Sequence, residues 1–139
     1  MNEKKRVLDF IKQYGLMVIA TVNVDGKPEA AVVEYGESDD LELIFDTYTS
    51  SRKYKNLQQN PSVACTIGWD ENITIQYEGI ATELRGEELQ KFKDLYFAKN
   101  ERARKWENRE GITYFKITPK WIRYSDLNTD PWTIFEINF

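Results

Sequence analysis

Phe45-Asp46-Thr47-Tyr48-Thr49-Ser50-Ser51-Arg52-Lys53 is the stretch on which the reading of this 139-residue sequence turns. An apolar run, Leu41-Glu-Leu-Ile-Phe45, ends in a cluster of hydroxyls, and two cations open the next segment. Thr49, Ser50 and Ser51 are helix N-cap residues, and Asn60-Pro61 stops the short helix that follows, Arg52 to Gln59. The free N–H groups and the dipole of a helix N-terminus favour an anion. That dipole disfavours cations in a first turn, so Arg52 and Lys53 need a reason to be there. Two readings are open. One is a phosphate cradle without glycines, in which Ser51 donates a hydrogen bond and the two cations neutralise the charge. The other is an ordinary capped helix with solvated cations.

Upstream, Val7, Leu8, Phe10, Ile11 and Tyr14 form a helical stripe over Lys5 to Tyr14, with Gly15 placed to end it. Leu16 to Val22 is β-branched and nearly continuous, as in a buried strand. Asp25-Gly26 signals a hairpin, and Ala30 to Tyr35 is the returning strand. Glu37 to Asp40 is a polar turn ahead of Leu41 to Phe45. Downstream, Ser62 to Gly68 and Ile73 to Glu83 read as strands around a turn at Asp70-Glu71-Asn72. Gly86 to Lys99 is helical, with Leu89, Phe92, Leu95 and Tyr96 on one face. Lys99 to Glu110 is a dense mixed-charge segment around Trp106, and Ile112–Ile117, Pro119–Tyr124 and Trp132–Phe139 complete the strands. Short strands and tight turns predict a mainly β fold with flanking helices: one domain, 1–139, built as an antiparallel barrel of six to eight strands.

Composition narrows the chemistry. There is no histidine, so no Ser–His or Cys–His pair, no imidazole metal ligand and no histidine ligand for haem. One cysteine, Cys65, forms no internal disulfide and no thiolate metal cluster. It reads as a core residue of a strand. A hard reaction step would therefore fall to something other than a side chain. A net charge of −4 argues against broad nucleic-acid binding. The start, Met1 to Arg6, lacks the apolar run of a signal peptide, and no stretch reaches the roughly 18–20 apolar residues of a membrane span. With a single free thiol, this predicts a cytoplasmic protein without a membrane partner.

The remaining candidates are weaker. Asp39-Asp40, Asp70-Glu71 and Glu87-Glu88 are paired carboxylates at turns or a helix start, where acids are common. No metal site is expected from them. Lys99 to Arg109 is diluted by Glu101 and Glu107 and reads as a solvated segment with internal ion pairs. Trp121 and Trp132 flank the last turn, either as core residues or beside a planar ligand. No Gly-x-Gly-x-x-Gly or Walker loop occurs.

Taken together, Met17-Val-Ile-Ala-Thr-Val22, Asp25-Gly26-Lys27-Pro28, Phe45-x-Thr47-x3-Ser51-Arg52-Lys53 and Asn60-Pro61-x-Val63 resemble the FMN-binding split barrel of the pyridoxamine 5′-phosphate oxidase superfamily. The resemblance implies a six-stranded antiparallel split barrel and a homodimer with FMN in clefts at the subunit interface. It implies that Ser51, Arg52 and Lys53 hold the FMN phosphate, and that Asp46 and Thr47 lie along the ribityl chain and ring. Ala31, Val32, Val33 and Glu34 would run along the isoalloxazine, with Thr74 or Gln76 as further contacts. It also implies an oxidoreductase in which the flavin supplies the redox chemistry. The catalytic residues are unknown, and the electron donor would be a nicotinamide or a small-molecule substrate.

The departures are specific. Ala31 and Gly36 stand where the namesake oxidase has an arginine and a lysine, and a chain without histidine lacks its Arg-x-His substrate motif. The resemblance therefore points to a flavoprotein related to that oxidase rather than to pyridoxal phosphate synthesis. Carriage of a flavin or another planar cofactor without turnover is the alternative, with tyrosine as the remaining candidate ligand for haem. Single-stranded nucleic-acid binding on aromatic platforms is a third reading, opposed by the acidic charge.

Overall fold

The computed structural model describes residues 2–139. Helix α1 (Glu3–Ile11) is capped by Asn2, whose side chain accepts the Lys5 N–H at 3.2 Å. It ends four residues before Gly15 and unwinds through tight turns at Gln13 and Tyr14. Strands β1 (Leu16–Val22) and β2 (Pro28–Glu34) form the expected hairpin, with Gly26 at the positive φ that the turn demands. A two-residue β3 (Gly36–Glu37) and β4 (Leu43–Tyr48) follow, then α2 (Arg52–Gln59). After them come β5 (Ser62–Ile67), β6 (Ile73–Glu83), α3 (Gly86–Lys99), a 3-10 turn of helix over Glu101–Trp106, β7 (Ile112–Asp126) and β8 (Thr133–Asn138).

The sheet is antiparallel throughout and runs β2-β1-β5-β6-β7-β4-β3, with β8 on the other edge of part of β7. Its two ends meet in the chain itself, since only Tyr35 separates β2 from β3. The sheet therefore curls into a barrel that stays split between β2 and β4. This is the predicted antiparallel split barrel, with eight strands in place of six. The additions are the short β3 and the C-terminal β8.

Two expected strands are one. Ile112–Ile117 and Pro119–Tyr124 form the single 15-residue β7, because the proline falls at a bulge. There Glu78 pairs with Trp121 and Gly79 with Pro119, so the register shifts past Lys120 and no ladder N–H is demanded of the proline. Gly79 makes the bulge fit: a Cβ there would lie 2.5 Å from the Thr118 carbonyl oxygen.

Strand β4 starts two residues later than its apolar run suggests. Leu41 sits at φ 65 in the preceding turn, its side chain buried and its carbonyl taking the Tyr77 hydroxyl at 2.7 Å. Inside the barrel, Met17, Ile19, Phe45, Cys65, Ile75, Tyr77, Phe115 and Ile122 form the main core. Cys65 is the predicted core residue, and burial pushes its thiol up to about 12. A second core lies outside β4 and β7, where Phe92, Tyr96 and Phe97 of α3 cover Ile44 and Tyr114.

Candidate functional site

The split between β2 and β4 is where α2 begins. Ser51 caps this helix: its Oγ accepts the Tyr54 N–H at 3.2 Å and shares a 2.8 Å hydrogen bond with the Thr47 hydroxyl. The strand end and the helix start are thus tied together, and the first turn of α2 faces β2. Arg52 and Lys53 line a groove there with Ile19, Thr21, Glu29, Ala30 and Ala31. Its volume is about 160 Å³, less than the ~300–1,000 Å³ of a pocket that swallows a small ligand whole. It has room for the end of a ligand whose remainder lies along the barrel surface.

A carboxylate stands between the cations and β1. Glu29 Oε1 accepts from Asn56 Nδ2 at 2.9 Å and lies 3.3 Å from Arg52 Nε, while Oε2 accepts from Asn23 Nδ2 at 3.2 Å. Asn56, buried, donates to Thr21 Oγ1 as well at 2.9 Å. The Asn56 amide above all, then Asn23 and Arg52, hold the Glu29 carboxyl below its usual range. The sequence reading missed this network. The available signal was spacing: Arg52 and Asn56 are four apart on one helix face, and Glu29 is two from Ala31 on one strand face.

Asp46 lies beside the groove rather than in it. Burial raises its carboxyl above the usual range and Glu34 adds to this, while Tyr96 and Lys53 oppose it. Burial lowers the Lys53 ammonium in turn, with Asp46 opposing.

The sequence candidates therefore divide. Ser51, Arg52, Lys53, Thr47 and Ala31 gather at the mouth of the split, with Asp46 adjoining through Lys53. The β2 residues alternate. Val33 packs against the core, whereas Val32 projects from the sheet and is 59% exposed. Since β2 has only β1 as a neighbour, alternate backbone N–H and C=O groups along its other edge are free for a ligand. Gln76 is not at this groove. It lies in one cross-strand row with Thr66, Val18 and Val32, three strands or about 14 Å from β2. Thr74 is two residues further along β6 on the same face.

The other candidates lie away from the groove. No cluster of three or more metal-ligating side chains occurs among the described residues. Lys99–Arg109 carries the internal Glu101–Arg104 pair, with Lys105 and Arg109 over the half-buried Trp106 ring. Trp121 donates to Glu136 at 2.9 Å, and Trp132 is exposed.

Comparison with known proteins agrees with this architecture. The family model described as pyridoxamine 5′-phosphate oxidase matches residues 4–126, and the chain belongs to that family. A pyridoxine/pyridoxamine 5′-phosphate oxidase from Gloeothece citriformis is 36% identical over 96 residues, covering 68% of this chain and 41% of its own. The chain spans half or less of the length of such curated relatives.

Among solved structures, a heme-binding protein from Mycobacterium smegmatis superposes with a TM-score of 0.82 at 14% identity, covering 98% of this chain and 57% of its own. A putative pyridoxamine 5′-phosphate oxidase from Listeria innocua does so with a TM-score of 0.75 at 21% identity, covering 92% and 100%. At these identities the likeness is one of fold. No helix among the described residues is long and apolar enough to cross a membrane.

Proposed function

We propose that this chain is an FMN-binding flavoprotein, an oxidoreductase acting on a small planar substrate and distinct from the namesake oxidase. The observation that supports this most is the groove at the start of α2. A capped helix N-terminus, two cations and the open edge of β2 converge there. Ser51, Arg52, Lys53 and the helix N–H groups would hold the phosphate. Thr47 and Asp46 would lie along the ribityl chain and ring, and the free backbone groups of Ala31 to Glu34 would meet the polar edge of the ring.

When bound, the flavin supplies the hydride or electron transfer. The chain's own residues bind and orient it. The groove's lining offers no imidazole, thiolate or phenolate, so its donor set suits a phosphate-bearing flavin better than haem.

Gln76 and Thr74, far from the groove of their own chain, would complete the site of a second copy in a homodimer. Such a homodimer is what the family resemblance implies. The chain would act as a single domain (Met1 lies outside the described residues), and its lone buried thiol suits a reducing, cytoplasmic setting.

The test is the visible spectrum of the purified protein and a titration with FMN. Flavin bands, or saturable FMN binding, are expected; absence of both refutes the reading. Reduction of bound FMN by a nicotinamide then separates an enzyme from a carrier.

A further inference from the structure

The groove is not uniformly cationic, and the carboxylate within it is built in rather than adventitious. Glu29 accepts hydrogen bonds from Asn56 on α2 and from Asn23 in the β1–β2 turn, and it pairs with Arg52 at the helix start. Its side chain is only 18% exposed, whereas that of Arg52 is 74% exposed. The carboxylate is therefore the buried, hydrogen-bonded member of the ion pair, and the arginine is the solvent-exposed one. With Arg52 engaged, Lys53 is the groove's other cation; burial disfavours its charged form, and the neighbouring Asp46 opposes that. Two cations against one carboxylate leave a single net positive charge on the lining. A phosphate monoester carries close to two negative charges at neutral pH.

We propose that Glu29 is a charge-selectivity residue of this groove. It lowers the affinity for a dianionic phosphate relative to a ligand end that is neutral or singly charged. The proposal deepens the flavin reading above and rests on it.

The same residue has a second effect. The groove continues past the Arg52–Glu29 pair into a neighbouring hollow lined by Asn23, Val24, Lys55, Asn56 and Gln59. Glu29 and Arg52 border both hollows, so the pair stands as a bar between them. A ligand end that releases Arg52 from Glu29 must replace the lost contact. A dianion does this while facing the carboxylate, and an uncharged end leaves the pair intact.

The experiment compares FMN with riboflavin, which lacks the phosphate. Dissociation constants for both are measured by flavin fluorescence on the wild type, Glu29→Gln and Glu29→Met. Glutamine keeps one acceptor oxygen for Asn56 and gives up the Asn23 hydrogen bond; methionine matches the length without polarity and serves if Glu29→Gln does not fold. Removing one like charge from the groove lining should tighten FMN binding on the order of tenfold, with riboflavin changed less than about twofold. An FMN-to-riboflavin ratio unmoved in a folded variant, or FMN binding weakened by it, overturns the role of Glu29 and leaves the flavin reading standing. Failure of every chain to bind either flavin overturns both.

Discussion

The Asp46 carboxyl on β4 and the Tyr114 hydroxyl on β7 stand on directly opposed positions of the ladder, and each leaves a buried oxygen without a hydrogen-bond partner among the described residues. Burial raises both groups above their usual ranges, Tyr114 to about 12. Asp46 is thus a carboxyl held where its charge is disfavoured, between the groove cation Lys53 and the second core under α3.

For an acid whose folded-state value is raised, stability is fully present below its unfolded value near 3.8. It is lost as pH rises through the folded-state value. Asp46→Asn removes that loss. The variant should be more stable than the wild type at pH 7, with a higher melting temperature, and converge with it in acid. Thermal melts across pH 3–8 check this; a gap that persists at the acid end would show that charge is not the cause.

Arg52→Ala combined with Lys53→Ala should weaken FMN binding by at least about tenfold, since one charge-assisted hydrogen bond contributes about 1.5–3 kcal/mol. Both side chains are at least partly exposed, so the melting temperature without ligand should hardly move. Equal FMN affinity in the double variant would remove the phosphate assignment.

Ser51 serves helix and groove at once, and two substitutions separate the roles. Ser51→Ala loses the cap and should cost about 1 kcal/mol of stability. Ser51→Asp keeps a good N-cap and should hold stability, yet it places a negative charge beside Arg52 and Lys53 and should abolish FMN binding. Calorimetry and titration on the pair read the two effects independently.

Lys99 fastens α3 to the barrel. Its Nζ lies 2.7 Å from Glu37 Oε2, donates to the Ile11 carbonyl at 3.0 Å and sits 3.9 Å from the centre of the Tyr35 ring. Lys99→Met strands the Glu37 carboxylate, which is 8% exposed, and should cost about 3 kcal/mol. Adding Glu37→Gln should recover part of that loss; a double variant no better than the single would mean that the pair is not the source.

Much of the fold was legible because its signals are local. Asp25-Gly26 made the first hairpin, Ser51 and Asn60-Pro61 bounded α2, and the apolar spacing of Phe92 and Tyr96 gave the buried face of α3. The misses came from long-range partners. Pro119 read as a strand break, because only Gly79 on β6 shows that a bulge receives it. Leu41 read as strand, because only the Tyr77 hydroxyl shows why a leucine occupies a left-handed turn.

Capping and proline stops act within a few residues, so local signals alone set Ser51, Arg52 and Lys53 at the opening of a helix after a strand. Composition, which needs no folding, also excluded histidine and thiolate-cluster chemistry. Tertiary structure decided what those cations face. Glu29 and Asn56 are 27 residues apart, and only the packing of α2 across β1 and β2 brings them together. Whether the groove carries two positive charges or one thus depends on a contact between distant segments, which no local pattern encodes.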